Sequence, residues 1–114
     1  MKPPPTGTPL SEPEVRALLD IGVPVVVDEA YSEFAGATLL ALTAEYEHLM
    51  VLRTFSKWAG LAGLRIGYGV FPPAVVAQII KIKPPYNVSV AGLVAAEAAL
   101  ADIEYRNITI RRIR

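Results

Sequence analysis

Lys57 lies between Ser56 and a glycine-rich stretch, with Arg65 eight residues further on. A lysine attacks a carbonyl only as the neutral amine, a form that neighbouring cations and partial burial favour, and Arg65 is spaced to supply such a cation. Ser56 adds a hydroxyl and Arg65 a planar fork of donors, which together make a cup for a phosphate monoester. The three residues suit a phosphorylated aldehyde. Upstream, the β-branched run Val25-Val26-Val27 ends on Asp28, and Tyr31 follows three residues later. A carboxylate there can hold a proton on a ring nitrogen, and the phenol can reach a ring oxygen.

Each of these residues also has an ordinary use. An isolated lysine is most often solvated, and an aspartate closing a strand is often a turn-former or a helix cap. Arg65 could pair with Glu29 or Glu33, and Ser56 could cap the next short helix. His48, the single histidine, reads as a surface or edge residue without a role. The glycines between Gly60 and Gly69 match neither G-x-G-x-x-G nor a Walker loop and read as sites of close backbone packing.

The elements that must carry these residues alternate between strand and helix. After the turn-rich opening Pro3-Pro4-Pro5-Thr6-Gly7, Ser11 and Glu14 have the spacing of a capping box, and Val15, Leu18 and Leu19 form an apolar stripe that runs to Asp20. Gly22 stops this helix. Val23-Pro24-Val25-Val26-Val27 lacks alternation, as expected of a strand covered on both faces, and its carboxyl end is where open α/β sheets bind ligands. Residues 30–47 are mixed. Leu49-Met50-Val51-Leu52 forms a second strand leading into Arg53-Thr54-Phe55-Ser56-Lys57, and Arg65 to Phe71 form a third. A helix is expected from Pro73 to Ile82, a linker at Pro84-Pro85-Tyr86-Asn87, and an alanine-rich helix from Ser89 to Asp102. The class is α/β.

Composition narrows the chemistry further. Eleven basic and eleven acidic residues cancel, so no net field draws nucleic acid or an anionic membrane. The absence of cysteine excludes thiolate chemistry and disulfides, and one histidine leaves too few nitrogen and sulfur ligands for an ordinary zinc site. No secretory signal is recognisable at the first residues and no apolar stretch is long enough to span a bilayer, so the cytoplasm is the expected compartment. Apolar residues are 53% of the 114 and charged ones 19%, a balance that suits a part of a larger body or a chain that dimerises.

The strings Val25-Val26-Val27-Asp28-Glu29-Ala30-Tyr31-Ser32-Glu33-Phe34, Arg53-Thr54-Phe55-Ser56-Lys57 and Gly60-Leu61-Ala62-Gly63-Leu64-Arg65-Ile66-Gly67-Tyr68 resemble the fold-type I aminotransferases, and most of all their histidinol-phosphate branch. Pro84-Pro85-Tyr86-Asn87-Val88-Ser89 is similar to the same branch. The resemblance implies pyridoxal 5'-phosphate as cofactor, with Lys57 forming its Schiff base and moving a proton between the substrate Cα and the cofactor's C4′ carbon. It further implies Asp28 on the pyridinium nitrogen, Tyr31 on the phenolic oxygen, Ser56, Arg65 and Thr54 on the phosphate, and Tyr86 and Asn87 on the substrate side. No metal is implied. The implied fold is a three-layer sandwich with helices on both faces of a mainly parallel sheet, and the implied assembly is a homodimer. The implied reaction exchanges an amino group between histidinol phosphate and 2-oxoglutarate, giving imidazole-acetol phosphate and glutamate.

One departure stands out. The family's Asn-Pro-Thr-Gly turn is replaced by Pro4-Pro5-Thr6-Gly7, and proline has no N–H or side-chain donor for the phenolic oxygen that the asparagine supports. The upstream phosphate loop and stacking ring of the family, and its downstream small domain, have no counterpart in these residues. The expectation is therefore a central piece of the large, cofactor-binding domain, with residues from about 103 to 114 beginning a truncated interdomain element. The rival expectation is a non-catalytic α/β module. A Schiff-base aldolase barrel fails on length, because eight strand and helix units need far more chain.

Overall fold

The structure, a computed structural model, describes residues 10–113. The Pro4-Pro5-Thr6-Gly7 turn lies outside the described residues. Helix α1 (Glu12–Leu19) begins as its sequence predicts: the Glu14 carboxylate accepts hydrogen bonds from both the backbone N–H and the hydroxyl of Ser11, each at 2.7 Å. These bonds hold the Glu14 carboxyl below the usual carboxylate range. Strand β1 (Val25–Asp28) follows, then the one-turn helix α2 (Ser32–Ala35) and a 3-10 turn at Leu40–Ala44. Strand β2 (Leu49–Thr54) leads through a second 3-10 turn, Ala62–Leu64, into strand β3 (Gly67–Val70). Three helices complete the chain: α3 (Pro73–Ile82), α4 (Val90–Ala101, capped by the Ser89 hydroxyl on the Gly92 N–H) and α5 (Ile103–Ile113).

The α/β class holds, and the sheet is mixed. Its order is β1-β2-β3. β1 and β2 are parallel, with Val25 opposite Leu49 and Asp28 opposite Leu52, whereas β2 and β3 are antiparallel, with Val51 opposite Val70 and Thr54 opposite Gly67. Gly67 is required at that pairing, because a Cβ there would lie 2.6 Å from the Arg53 carbonyl oxygen. The glycine lets β3 close on the end of β2, which is the backbone packing expected for this stretch.

Two apolar clusters hold these elements. Val15 and Leu19 of α1 pack with Leu42, Leu49 and Val51, and Val25 and Val27 join them from β1. The expectation that β1 is covered on both faces is not met among the described residues. Its side chains alternate, and Val26 is 55% exposed because no described element lies over that face. The second cluster joins Phe34, Phe55, Trp58, Ala59, Ile66 and Ala96, with Ala99 and Ile110 packed against it, so α4 and α5 support the loop that follows β2. At the far side of the molecule, Arg16 pairs with Glu12 at 2.9 Å and with Glu45 at 2.7 Å, tying α1 to the chain before β2. This pairing raises the Arg16 pKa and lowers that of Glu45.

Candidate functional site

The parallel register of β1 and β2 brings their carboxyl ends side by side. β1 ends on Asp28 and β2 on Thr54, and the chain then turns through Phe55, Ser56, Lys57 and Trp58. The turn is anchored from below. Phe55, Trp58 and Ala59 are buried in the second cluster, and the rings of Phe55 and Trp58 lie 5.8 Å apart. The Phe55 N–H donates to the Ile66 carbonyl at 3.2 Å, and the Leu61 N–H donates back to the Phe55 carbonyl at 3.1 Å. With residues 55, 58 and 59 drawn inward, Ser56 is left half-buried and Lys57 exposed. The partial burial expected for Lys57 is thus not supplied by the described residues.

These residues enclose an open cleft of about 320 Å³ lined by Asp28, Ala30, Leu52, Arg53, Thr54, Ser56, Lys57 and Arg65. Residues bearing a carboxylate, an amine, two hydroxyls and two guanidiniums therefore share one hollow. The Asp28 Oδ1 accepts the Ala30 N–H at 2.9 Å, which fixes the turn out of β1. The Thr54 hydroxyl accepts the Ser56 N–H at 3.0 Å, which shapes the turn out of β2. Ser56 therefore belongs to this turn. Tyr31 is half-buried beside the cleft, and the Lys57 Nζ sits 5.4 Å from the centre of its ring. A cation over an aromatic face at this distance gains about 0.5–1 kcal/mol at an exposed site.

Arg65 carries a feature that its sequence does not advertise. It has φ 52° and is the one non-glycine residue with positive φ among the described residues. A residue with a Cβ in that region costs on the order of 1 kcal/mol and is held only where neighbours fix it. Here Ile66 is locked into the second cluster, and the Arg65 Nη1 donates to the Ala62 carbonyl at 3.2 Å.

The pairing of Arg65 with Glu29 or Glu33 does not occur, because Arg53 occupies both acids. Its Nε and Nη2 lie 2.9 and 2.8 Å from the Glu29 Oε2, and its Nη1 lies 2.8 Å from the Glu33 Oε1. Sequence reasoning missed this network. Its signal is the register: Asp28 opposite Leu52 sets Glu29 beside Arg53, one residue past the end of the ladder.

Tyr86 and Asn87 are not brought to the cleft. Tyr86 is 94% exposed, and the Asn87 Oδ1 accepts from the Lys83 Nζ at 2.6 Å. His48 contacts the Leu19 carbonyl through Nε2 at 2.9 Å and belongs to the packing of α1. A larger hollow of about 400 Å³, lined by Thr43, Glu47 and residues 70–74, offers no amine or guanidinium. No group of His, Cys, Asp and Glu among the described residues could hold a metal ion, and no helix there is long and apolar enough to cross a membrane.

The sequence from residue 4 to residue 114 matches the family model described as aminotransferase class I and II. A histidinol-phosphate aminotransferase of Dehalococcoides mccartyi is 51% identical over 109 residues, which are 96% of this chain and 30% of the relative. One from Roseiflexus castenholzii is 53% identical over the same length, 96% of this chain and 29% of the relative. Among solved structures, the histidinol-phosphate aminotransferase of Sinorhizobium meliloti in complex with pyridoxal-5'-phosphate superposes with a TM-score of 0.72 at 32% identity, over 86% of this chain and 29% of that one. The chain spans less than a third of the length of these relatives.

Proposed function

Because the chain belongs to the class I and II aminotransferases, we propose that it forms the lysine-bearing part of a pyridoxal 5'-phosphate site in a histidinol-phosphate aminotransferase. The observation that carries this reading is the cleft in which Asp28, Thr54, Ser56, Lys57 and Arg65 meet, with Tyr31 at its edge. The donor set fits the cofactor group by group. The Lys57 amine would hold the aldehyde carbon, Asp28 the protonated ring nitrogen and Tyr31 the phenolic oxygen. Thr54, Ser56 and Arg65 would hold the phosphate, and the Arg65 guanidinium suits bidentate pairing with it.

Pyridoxal phosphate, when bound, supplies an electron sink for the charge left as a substrate Cα loses its proton. The chain's own contribution is acid–base work and orientation. Lys57, on a turn pinned by Phe55 and Trp58, carries the proton taken from the substrate Cα. Asp28 keeps the ring nitrogen protonated, and the backbone bond to Ala30 fixes the direction of its carboxylate. The Arg65 guanidinium is already held by the Ala62 carbonyl, so less side-chain freedom is lost when an anion docks.

The reaction in this reading converts histidinol phosphate and 2-oxoglutarate into imidazole-acetol phosphate and glutamate, within a homodimer. The segment belongs to the large cofactor-binding domain, and α5 begins the element joining it to the rest. Support for the substrate is the identity to histidinol-phosphate aminotransferases of 51% and 53%. Tyr86 and Asn87 remain in the proposal as substrate-side residues on the resemblance of Pro84-Pro85-Tyr86-Asn87-Val88-Ser89 alone. The test is to load the chain with pyridoxal phosphate and add histidinol phosphate, L-phenylalanine or O-phosphothreonine. A visible band that is absent in Lys57→Ala and is altered fastest by histidinol phosphate is expected. A band equally indifferent to all three would remove the substrate assignment.

A further inference from the structure

We infer that Arg53 is a positioning residue for the cleft, acting through Glu29 and Glu33 to fix Asp28 and Tyr31. This inference rests on the reading of the cleft as a pyridoxal phosphate site. Successive residues of an extended strand point to opposite sides, so Asp28 and Glu29 part company at the end of β1. Asp28 lines the cleft, whereas Glu29 is buried. The Glu29 N–H still donates to the Leu52 carbonyl at 2.9 Å, which prolongs the parallel register by one residue and sets Glu29 beside Arg53.

The acceptors and donors in this corner interlock. The Glu29 Oε2 receives Arg53 and the Thr38 hydroxyl at 2.8 Å, and its Oε1 receives the Leu39 N–H at 2.5 Å. Arg53 sends its remaining donors to Glu33 and, at 2.8 Å, to the Thr38 hydroxyl. The guanidinium thereby clamps three pieces of chain: the end of β1, the helix α2 and the segment before Leu40. Tyr31 lies between Glu29 and Glu33 in sequence, so both of its flanks are tied to one cation. A lysine at position 53 would keep the charge yet offer a single point in place of a fork.

The experiment compares the chain with R53K and E33Q, after urea unfolding has shown which variants fold. Pyridoxal phosphate affinity is expected to fall by about 10-fold in R53K, and by less, but still measurably, in E33Q, whose side chain does not line the cleft and so acts only through the groups it positions. The pH midpoint of the bound visible band is expected to move in both, because Asp28 and Tyr31 face the ring. In the unloaded chain, amide exchange at residues 28–33 is expected to quicken while that of α1 is unchanged. Unchanged affinity and pH midpoint in every variant that folds would overturn the inference. Unchanged exchange at residues 28–33 would do so whether or not cofactor binds. A parent chain that shows no band at all counts against the cofactor site itself, and the exchange result then decides the clamp alone.

Discussion

Strands β1 and β2 with the turn after them contrast sharply with the three helices that follow. In the first region Leu49 and Val51 are fully buried, Phe55 and Trp58 nearly so, and Glu29 is inside with its charge paired. In the second, α3 and α5 have no buried residue, and α4 buries only Gly92 and Ala96. Val90 is 78% exposed and Ile82 83%. A helix apolar on all sides is normally an interior helix. The geometry of the cleft is therefore fixed by contacts this chain makes with itself, whereas the outer faces of the helices carry apolar surface that these contacts do not use.

The contrast is broken most forcefully in the first region. Leu49→Ala leaves a cavity between α1 and the sheet and is expected to destabilise the chain by about 2–5 kcal/mol, read from the urea midpoint. A loss below about 1 kcal/mol would mean that this core is no better packed than the helices. Arg65→Gly divides stability from function. It removes the positive-φ penalty and is expected to raise stability by up to about 1 kcal/mol, while weakening pyridoxal phosphate binding through loss of the guanidinium. Equal binding by both forms would take Arg65 out of the phosphate cup.

Acidification probes the tie between α1 and the chain before β2. Glu45 is held below its ordinary pKa by Arg16, so its contribution is complete above the usual carboxylate range and is lost as pH falls through the lowered value. Thermal unfolding followed from pH 6 to pH 3 is expected to decline less in Arg16→Ala than in the parent, and parallel curves would remove this tie. The smallest effect is expected at the second region's surface, where Val90→Ser should change stability by less than about 0.5 kcal/mol. A large loss there would show that α4 already uses this face.

Local signals explain what the sequence made legible. Ser11 with Glu14, and Ser89, mark helix starts by hydrogen bonds made within one turn, and Pro73 marks one by its fixed φ. Asp28, Thr54, Ser56, Lys57 and Arg65 were recognisable because strand ends and tight turns put neighbouring residues into one cleft. The antiparallel pairing of β3 was not legible, since four residues with two glycines carry no direction. Nor was the Arg53 clamp, which depends on a register between strands separated by a crossover of twenty residues, 29–48. The open face of β1 escaped for a related reason: Val25, Val26 and Val27 look alike, and only the elements packed on them distinguish inside from outside. The exposed position of Tyr86 follows from a linker with no buried anchor between Ile82 and Val88.

The most direct measurement is to load the chain with pyridoxal phosphate, reduce it with borohydride and map the labelled peptide. Label confined to Lys57, and absent in Lys57→Ala, is the predicted result. Label spread over Lys2, Lys81 and Lys83, or an unlabelled chain, would contradict the account, because the cleft would then hold no amine set apart from the other lysines of the chain.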